Sequence, residues 1–123
     1  MVPPTFDQQI TFLHTNNLEA TRQFYNQILG LPVVRDQGTC LIFQAAENAY
    51  IGFCEHIEPI STGRRVILTL VTDDVDEWYQ VLKERAAPLM DAPKANPQFQ
   101  IYHFFLTDPD GYWVEIQQFD RPL

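Results

Sequence analysis

The chain carries the same pattern twice, and this internal repeat limits the folds open to it. Residues 10–19 align with residues 67–76, an offset of 57 residues. Each copy reads as a strand that runs into the start of a helix. Asn16 and Asp73 are the expected caps, because a short polar side chain can accept hydrogen bonds from the free amides of a first helical turn. The repeat therefore predicts two similar halves.

Each half continues in the same order. Apolar residues at helical spacing predict a first helix that ends at Gly30, before Pro32, and a second that ends near residues 86–88. Short strands are expected around residues 32–36, 40–44 and 50–56, and again around 89–91, 101–107 and 112–119. Residues 57–65 would connect the halves, and residues 92–99 would form a surface loop able to act as a lid. The order βαβββ, written twice, predicts one α+β domain over residues 1–123, with pseudo-repeats at about 8–56 and 66–119.

Length and charge exclude several classes of partner. The chain has 123 residues, enough for one domain with its own core. Its net charge of −8 argues against nucleic acid or an anionic membrane surface. No apolar run approaches the length of a membrane span, and residues 1–5 show no secretory signal pattern. A cytoplasmic location is expected, with Cys40 and Cys54 as free thiols.

Residues 100–116 form the most informative local segment. Two apolar and aromatic runs flank the turn sequence Asp108-Pro-Asp-Gly111, which is typical of a β-hairpin. Glu115 falls inside the second run, where an isolated buried carboxylate would cost several kcal/mol unless it is paired. The turn allows two registers, one with His103 directly opposite Glu115 and one with His103 a diagonal step away. Both place the two side chains on one face, about 5–8 Å apart at Cβ.

Over nearly its whole length the chain resembles the vicinal oxygen chelate superfamily. The residues that carry the resemblance are the paired modules, the Phe-Tyr and Leu-Gly-Leu pattern in residues 17–31, and the segment from Asp108 to Glu115. The group includes glyoxalase I, bleomycin-binding proteins, fosfomycin-modifying thiol transferases and extradiol dioxygenases. The resemblance implies an incomplete eight-stranded barrel, a small-molecule ligand in its concave cavity, and a homodimer.

The resemblance also allows a check of the metal site. Enzymes of the superfamily bind a divalent metal with His or Gln on the first strand of each half and Glu on the last. Aligned on those motifs, Ile10 and Ile67 occupy the first-strand positions, and Gly52 stands opposite Glu115 in the pseudo-twofold. Neither Ile nor Gly offers a side-chain donor. The standard metal site is therefore expected to be absent, and no cofactor is expected.

Strand alternation assigns the remaining cavity residues. His103 and Glu115 are the expected catalytic pair, although a core imidazole that merely satisfies a carboxylate is the alternative reading. Gln117 shares their face. The expected substrate-binding residues are Phe12, His14, Tyr50, Cys54, Phe105 and Trp113.

Three functions remain open from the sequence. The first is a glyoxalase- or bleomycin-resistance-like protein that binds a small organic molecule, with the reaction undetermined. The second is a metal-dependent lyase, isomerase, thiol transferase or dioxygenase that uses Glu115 and His103. The third is a non-catalytic dimer that sequesters a drug.

Overall fold

The computed structural model describes residues 2–56, 58 and 66–123. The chain divides into two compact units, Met1–Thr62 and Gly63–Leu123. The expected connector, residues 57–65, lies almost wholly outside the described residues. No described helix is long and apolar enough to cross a membrane.

The first unit contains one strand, a helical segment and three further strands. Its elements are β1 (Gln9–His14), α1 (Leu18–Arg22) with a π-helical continuation (Gln23–Ile28), β2 (Val33–Asp36), β3 (Cys40–Ala46) and β4 (Ala49–Cys54). The strands form a sheet in the order β1-β4-β3-β2, with β1 parallel to β4 and the other pairs antiparallel.

The second unit repeats this arrangement. Its elements are β5 (Ile67–Val71), α2 (Val75–Glu84), β6 (Lys94–Asn96), β7 (Ile101–Thr107) and β8 (Trp113–Phe119). The strand order is β5-β8-β7-β6, again with the first strand parallel to the last. The predicted α+β class with two βαβββ modules is confirmed.

Both helices begin one residue later than expected. Asn17, not Asn16, caps α1, and its side chain accepts from the amide of Ala20 at 3.1 Å. Asp74, not Asp73, occupies the cap of α2, where its side chain makes no capping hydrogen bond. The first helix ends at Gly30 as predicted. Its φ of +78° lies in the left-handed region, which glycine adopts without a Cβ penalty.

Each sheet buries one face against its own helix. In the first unit the ring of Tyr25 lies 5.5 Å from Phe43 and 4.5 Å from Phe53, centroid to centroid. In the second unit Tyr79 packs edge-on against Phe104 at 5.3 Å. Because side chains alternate along a strand, the neighbours of these residues point to the opposite face. The candidate functional residues lie on those free faces.

The edge of the second sheet differs from the prediction. The strand expected at residues 89–91 is reduced to a bridge between Leu89 and Leu106, and a strand, β6, lies inside the expected loop 92–99. Asp91 interrupts the edge because its carboxylate accepts from the amide of Phe105 at 3.0 Å. A side-chain hydrogen bond thus substitutes for one backbone pairing. The expected lid is therefore partly an edge strand.

The prediction of free thiols is wrong, because Cys40 and Cys54 form a disulfide. The two residues are direct partners on β3 and β4, with their Cα atoms 4.1 Å apart. The next pair along the ladder is joined by a hydrogen bond from Glu55 N to Thr39 O. Cys40 and Cys54 thus occupy a non-hydrogen-bonded pair, where opposing side chains come closest. Their spacing in sequence does not reveal this register.

Candidate functional site

The turn between β7 and β8 fixes the position of the site residues. The Asp108 carboxylate accepts from the amides of Asp110 at 2.8 Å and Tyr112 at 2.9 Å, and Gly111 has a φ of +87°. This Asx-type bonding is the reason that Asp is favoured at the start of such turns. It selects the diagonal register: Phe105 pairs with Glu115, and His103 pairs with Gln117.

Glu115 is buried and fully hydrogen-bonded. His103 Nδ1 lies 2.6 Å from its Oε2, and the hydroxyl of Thr69 donates to its Oε1 at 2.8 Å. When the Gln117 amide is oriented with its nitrogen toward the carboxylate, that nitrogen donates to Glu115 Oε1 at 3.1 Å and to Oε2 at 2.9 Å. These donors offset the desolvation of the carboxylate. We call His103, Glu115, Thr69 and Gln117 the carboxylate cluster.

The sequence predicted two members of this cluster and missed the roles of the others. Gln117 was expected on the same face but not in the site. Thr69 stands beside Glu115 on the neighbouring strand β5. The 57-residue repeat and parallel pairing of the first and last strands could have indicated it.

His103 presents its second ring nitrogen away from Glu115. In the neutral imidazole, a proton on Nδ1 donates to the carboxylate and leaves Nε2 as an acceptor. Nε2 has no hydrogen-bond partner among the described residues. Every completely buried side-chain nitrogen or oxygen in the described part of the chain does have a partner. Nε2 is therefore not completely buried, although the side chain of His103 is only 7% exposed. A carboxylate that orients an imidazole with a free nitrogen is an arrangement suited to general-base chemistry.

Two predicted substrate-binding residues flank the carboxylate cluster. The ring of Phe105 lies 5.2 Å from that of His103 and 5.3 Å from that of Trp113, both in edge-on geometry. Trp113 is half-buried, so part of its surface remains open. The pair supplies an aromatic surface beside the imidazole.

The free face of the first sheet carries a groove of about 410 Å³. Its lining is mixed: Ile10, Phe12, Val34, Ile42 and Tyr50 are apolar or aromatic, and Gln8, Arg35 and Gln37 are polar. Phe12 and Tyr50 were predicted to bind substrate, whereas Val34 and Arg35 were not. Within the described part of the chain, Arg35 forms no ion pair. The groove thus combines apolar surface with an unpaired guanidinium.

His14 and Cys54 do not line this groove. His14 Nε2 lies 2.9 Å from Asn16 Oδ1, and Cys54 is bonded to Cys40. Their predicted contact with substrate therefore remains untested.

The standard metal site does not fit the residues present. The sheet registers confirm that Gly52 beside Phe12 corresponds to Glu115 beside Thr69. A Cβ on Gly52 would clash with the ring of Phe12, so no donor can be placed there while that ring stays. Ile10 and Ile67 offer no donor, and both oxygens of Glu115 already accept hydrogen bonds.

Comparison with known proteins identifies the class. The family model of the Glyoxalase/Bleomycin resistance protein/Dioxygenase superfamily matches residues 8–116. The chain belongs to this superfamily. A search of curated protein sequences found no match.

Solved structures show the same fold at low sequence identity. A glyoxalase/bleomycin resistance protein/dioxygenase from Nocardioides has a TM-score of 0.77 and 17% identity, covering 97% of this chain and 86% of its own. Lactoylglutathione lyase from Agrobacterium tumefaciens has a TM-score of 0.74 and 21% identity, and the match covers 95% of this chain and 96% of the lyase. A glyoxalase/bleomycin resistance protein/dioxygenase from Alicyclobacillus acidocaldarius has a TM-score of 0.76 and 15% identity, and the match covers 94% of this chain and 92% of that protein. At sequence identities this low, the structural similarity establishes a shared fold and no shared function.

Proposed function

We propose that the protein binds a small organic molecule on the free face of the second sheet and exchanges a proton with it through His103. The observation that carries the proposal is the 2.6 Å hydrogen bond between His103 Nδ1 and Glu115 Oε2, which leaves Nε2 without a hydrogen-bond partner among the described residues. Superfamily membership supports a small-molecule ligand. The protein would act without the standard metal, as a lyase or isomerase.

The residues divide the task between them. Nε2 of His103 would accept a proton from the bound molecule, and Glu115 would stabilise the imidazolium that forms. Thr69 and Gln117 hold the carboxylate in place through their hydrogen bonds. Phe105 and Trp113 would pack against an apolar or aromatic part of the ligand.

A proton-exchange experiment tests this function. The protein is incubated in D₂O with α-ketoaldehydes, with and without added thiol, and with catechols. Proton NMR follows the loss of ligand C–H signals, and protein chemical shifts report binding. His103→Gln should lower the exchange rate by about 10²- to 10⁴-fold, the usual contribution of a general base. Glu115→Gln should lower it by a smaller factor, because the imidazole remains.

A histidine elsewhere provides the matched control for this experiment. His56→Gln removes an exposed imidazole of the first unit and should leave exchange unchanged. Exchange at the wild-type rate in His103→Gln would refute the role of His103. If no probe either exchanges or shifts the signals of the second sheet, the proposal fails as a whole.

A second candidate function is binding without chemistry in the groove of the first unit. Arg35 favours an anionic group on a ligand with an apolar part, because the guanidinium lines the same groove as Ile10, Phe12, Val34, Ile42 and Tyr50. Anilinonaphthalene sulfonate has this character and serves as a fluorescent probe. Arg35→Gln should weaken its binding, whereas Arg121→Gln, which removes an exposed charge from the second unit, should not. Equal affinity in both variants would refute this function.

The oligomeric state and the cellular location of the protein stay predictions. We expect a homodimer, as the resemblance implies, and a cytoplasmic location.

A further inference from the structure

The disulfide of the first unit has a third potential metal ligand beside it. His56 follows Cys54 by two residues, and its Nδ1 lies 3.7 Å from Cys40 Sγ. The two sulfur atoms and an imidazole nitrogen all lie within 4.8 Å of one another. Within the described ranges, no other three His, Cys, Asp or Glu side chains gather so closely. The arrangement is unrelated to the carboxylate cluster, which belongs to the other unit.

We propose that Cys40, Cys54 and His56, once the disulfide is reduced, form a binding site for a thiophilic divalent cation such as Zn²⁺. Thiolate and imidazole are the ligands that zinc prefers in proteins. Both cysteines are buried, at 6% and 2% exposure, whereas His56 is exposed. A cation would thus be held against the sheet by two sulfurs and closed from the solvent side by the imidazole.

The geometry requires little change between Cys40 and His56 and a clear separation of the two sulfurs. Tetrahedral Zn–S and Zn–N bonds of about 2.3 and 2.0 Å place two sulfurs about 3.8 Å apart and a sulfur and nitrogen about 3.5 Å apart. The Cys40–His56 separation of 3.7 Å already approaches the second value. The two sulfurs must separate once their bond is broken, and rotation about their side-chain torsions allows this while the strands stay paired.

Three protein donors would leave the fourth position of the ion open. Glu55, between Cys54 and His56, does not fill it with its bonded oxygen, because Oε1 accepts from the amide of Leu18 at 3.1 Å. A water or a small thiol would complete the tetrahedron. An open fourth position is the pattern of zinc sites that act on ligands, in contrast to closed structural sites.

Binding is coupled to two balanced steps. In the first, two equivalents of a thiol reductant break the Cys40–Cys54 bond, yield two cysteine thiols and become one oxidised disulfide. In the second, the divalent ion replaces the two thiol protons, which are released to solvent. The oxidised chain has no thiolate and should not bind the ion at this site.

Cobalt provides a visible probe of the site. The full chain is reduced with dithiothreitol, freed of excess reductant without oxygen, and titrated with Co²⁺. One equivalent per chain should produce the thiolate charge-transfer absorption and the visible bands of tetrahedral cobalt. Zn²⁺ should displace the cobalt, and about two protons should be released per ion bound. The oxidised wild type, which keeps the same sequence and fold, should show neither signal.

Single substitutions identify the ligands. Cys40→Ser and Cys54→Ser should each abolish the charge-transfer band, and His56→Asn should weaken binding by roughly tenfold or more. His14→Asn is the matched control, because His14 pairs with Cys54 across the strands but bonds Asn16. Circular dichroism checks that each variant is folded.

Two outcomes would overturn the site. One is a folded, fully reduced wild type that gives no tetrahedral cobalt signal. The other is a His14→Asn variant that loses the ion while His56→Asn keeps it. Either result would remove Cys40, Cys54 and His56 as a ligand set, and neither bears on proton exchange at His103.

Discussion

Removal of the Glu115 carboxylate should strongly destabilise the protein. In Glu115→Ala the Nδ1 of His103 and the amide of Gln117 lose their acceptor in a buried place, and the hydroxyl of Thr69, an exposed residue, loses its acceptor as well. Each buried donor left unpaired costs about 1–3 kcal/mol, but water entering the new cavity would satisfy some of them. Breaking a buried pair by removing one partner typically costs about 3–5 kcal/mol, and we expect a loss in this range.

The comparison with a milder substitution tests the cause. Glu115→Gln keeps the size of the side chain and one acceptor oxygen, so its cost should be smaller, about 1–2 kcal/mol. A double-mutant cycle with His103→Ala should give a coupling energy of about 0.5–3 kcal/mol, because the two side chains are in direct contact.

Urea denaturation followed by tryptophan fluorescence measures these free energies of unfolding. Glu84→Ala, on the exposed end of α2, is the control and should change stability by less than about 0.5 kcal/mol. A loss below about 1 kcal/mol in Glu115→Ala, or a coupling energy near zero, would refute the view that the cluster stabilises the fold.

Three further predictions concern other parts of the chain. Gly52→Ala should destabilise the first unit by about 1–3 kcal/mol through its clash with Phe12, and adding Phe12→Ala should recover part of the loss in urea denaturation. The hydrogen bond from the Tyr102 hydroxyl to Asp76 raises the pKa of Tyr102. The folded state thus favours the protonated phenol, and this stabilisation is complete below about pH 10 and lost as the pH rises through the folded value. The stability difference between wild type and Tyr102→Phe should therefore vanish at high pH, and a constant difference would contradict this. Light scattering should give twice the chain mass of 14.3 kDa, and a monomer mass at tens of micromolar would contradict the dimer.

The hairpin of the second unit is the part that sequence predicted best. Its strands were expected at 101–107 and 112–119 and lie at Ile101–Thr107 and Trp113–Phe119. Two runs of strand-forming residues around an Asp-Pro-Asp-Gly turn leave few alternatives. The choice of register was open, because it depends on the side-chain hydrogen bonds of Asp108. The contact of His103 with Glu115 followed in either register, but the role of those residues in function remains a prediction.

Features that depend on pairing between distant strands were missed. The disulfide requires Cys40 and Cys54 to be direct partners on β3 and β4, and no register for that pair could be assigned from sequence alone. The bond from Thr69 to Glu115 depends on the pairing of β5 with β8. The cap positions were wrong by one residue, since Asn16 and Asn17 are equally suited by type.

The packing of Phe12 over Gly52 also restricts which sequences this chain can reach by single substitutions. A glutamate at position 52 would have to displace the Phe12 ring, so it would be penalised on first appearance. Removing Phe12 first would leave Gly52 without the ring that packs beside it, and a glycine within a strand is already destabilising. A change at position 52 is therefore less costly once Phe12 has been replaced. The first unit is thus separated from a carboxylate like that of Glu115 by two coupled substitutions, and laboratory selection for such a carboxylate should favour variants that change both positions.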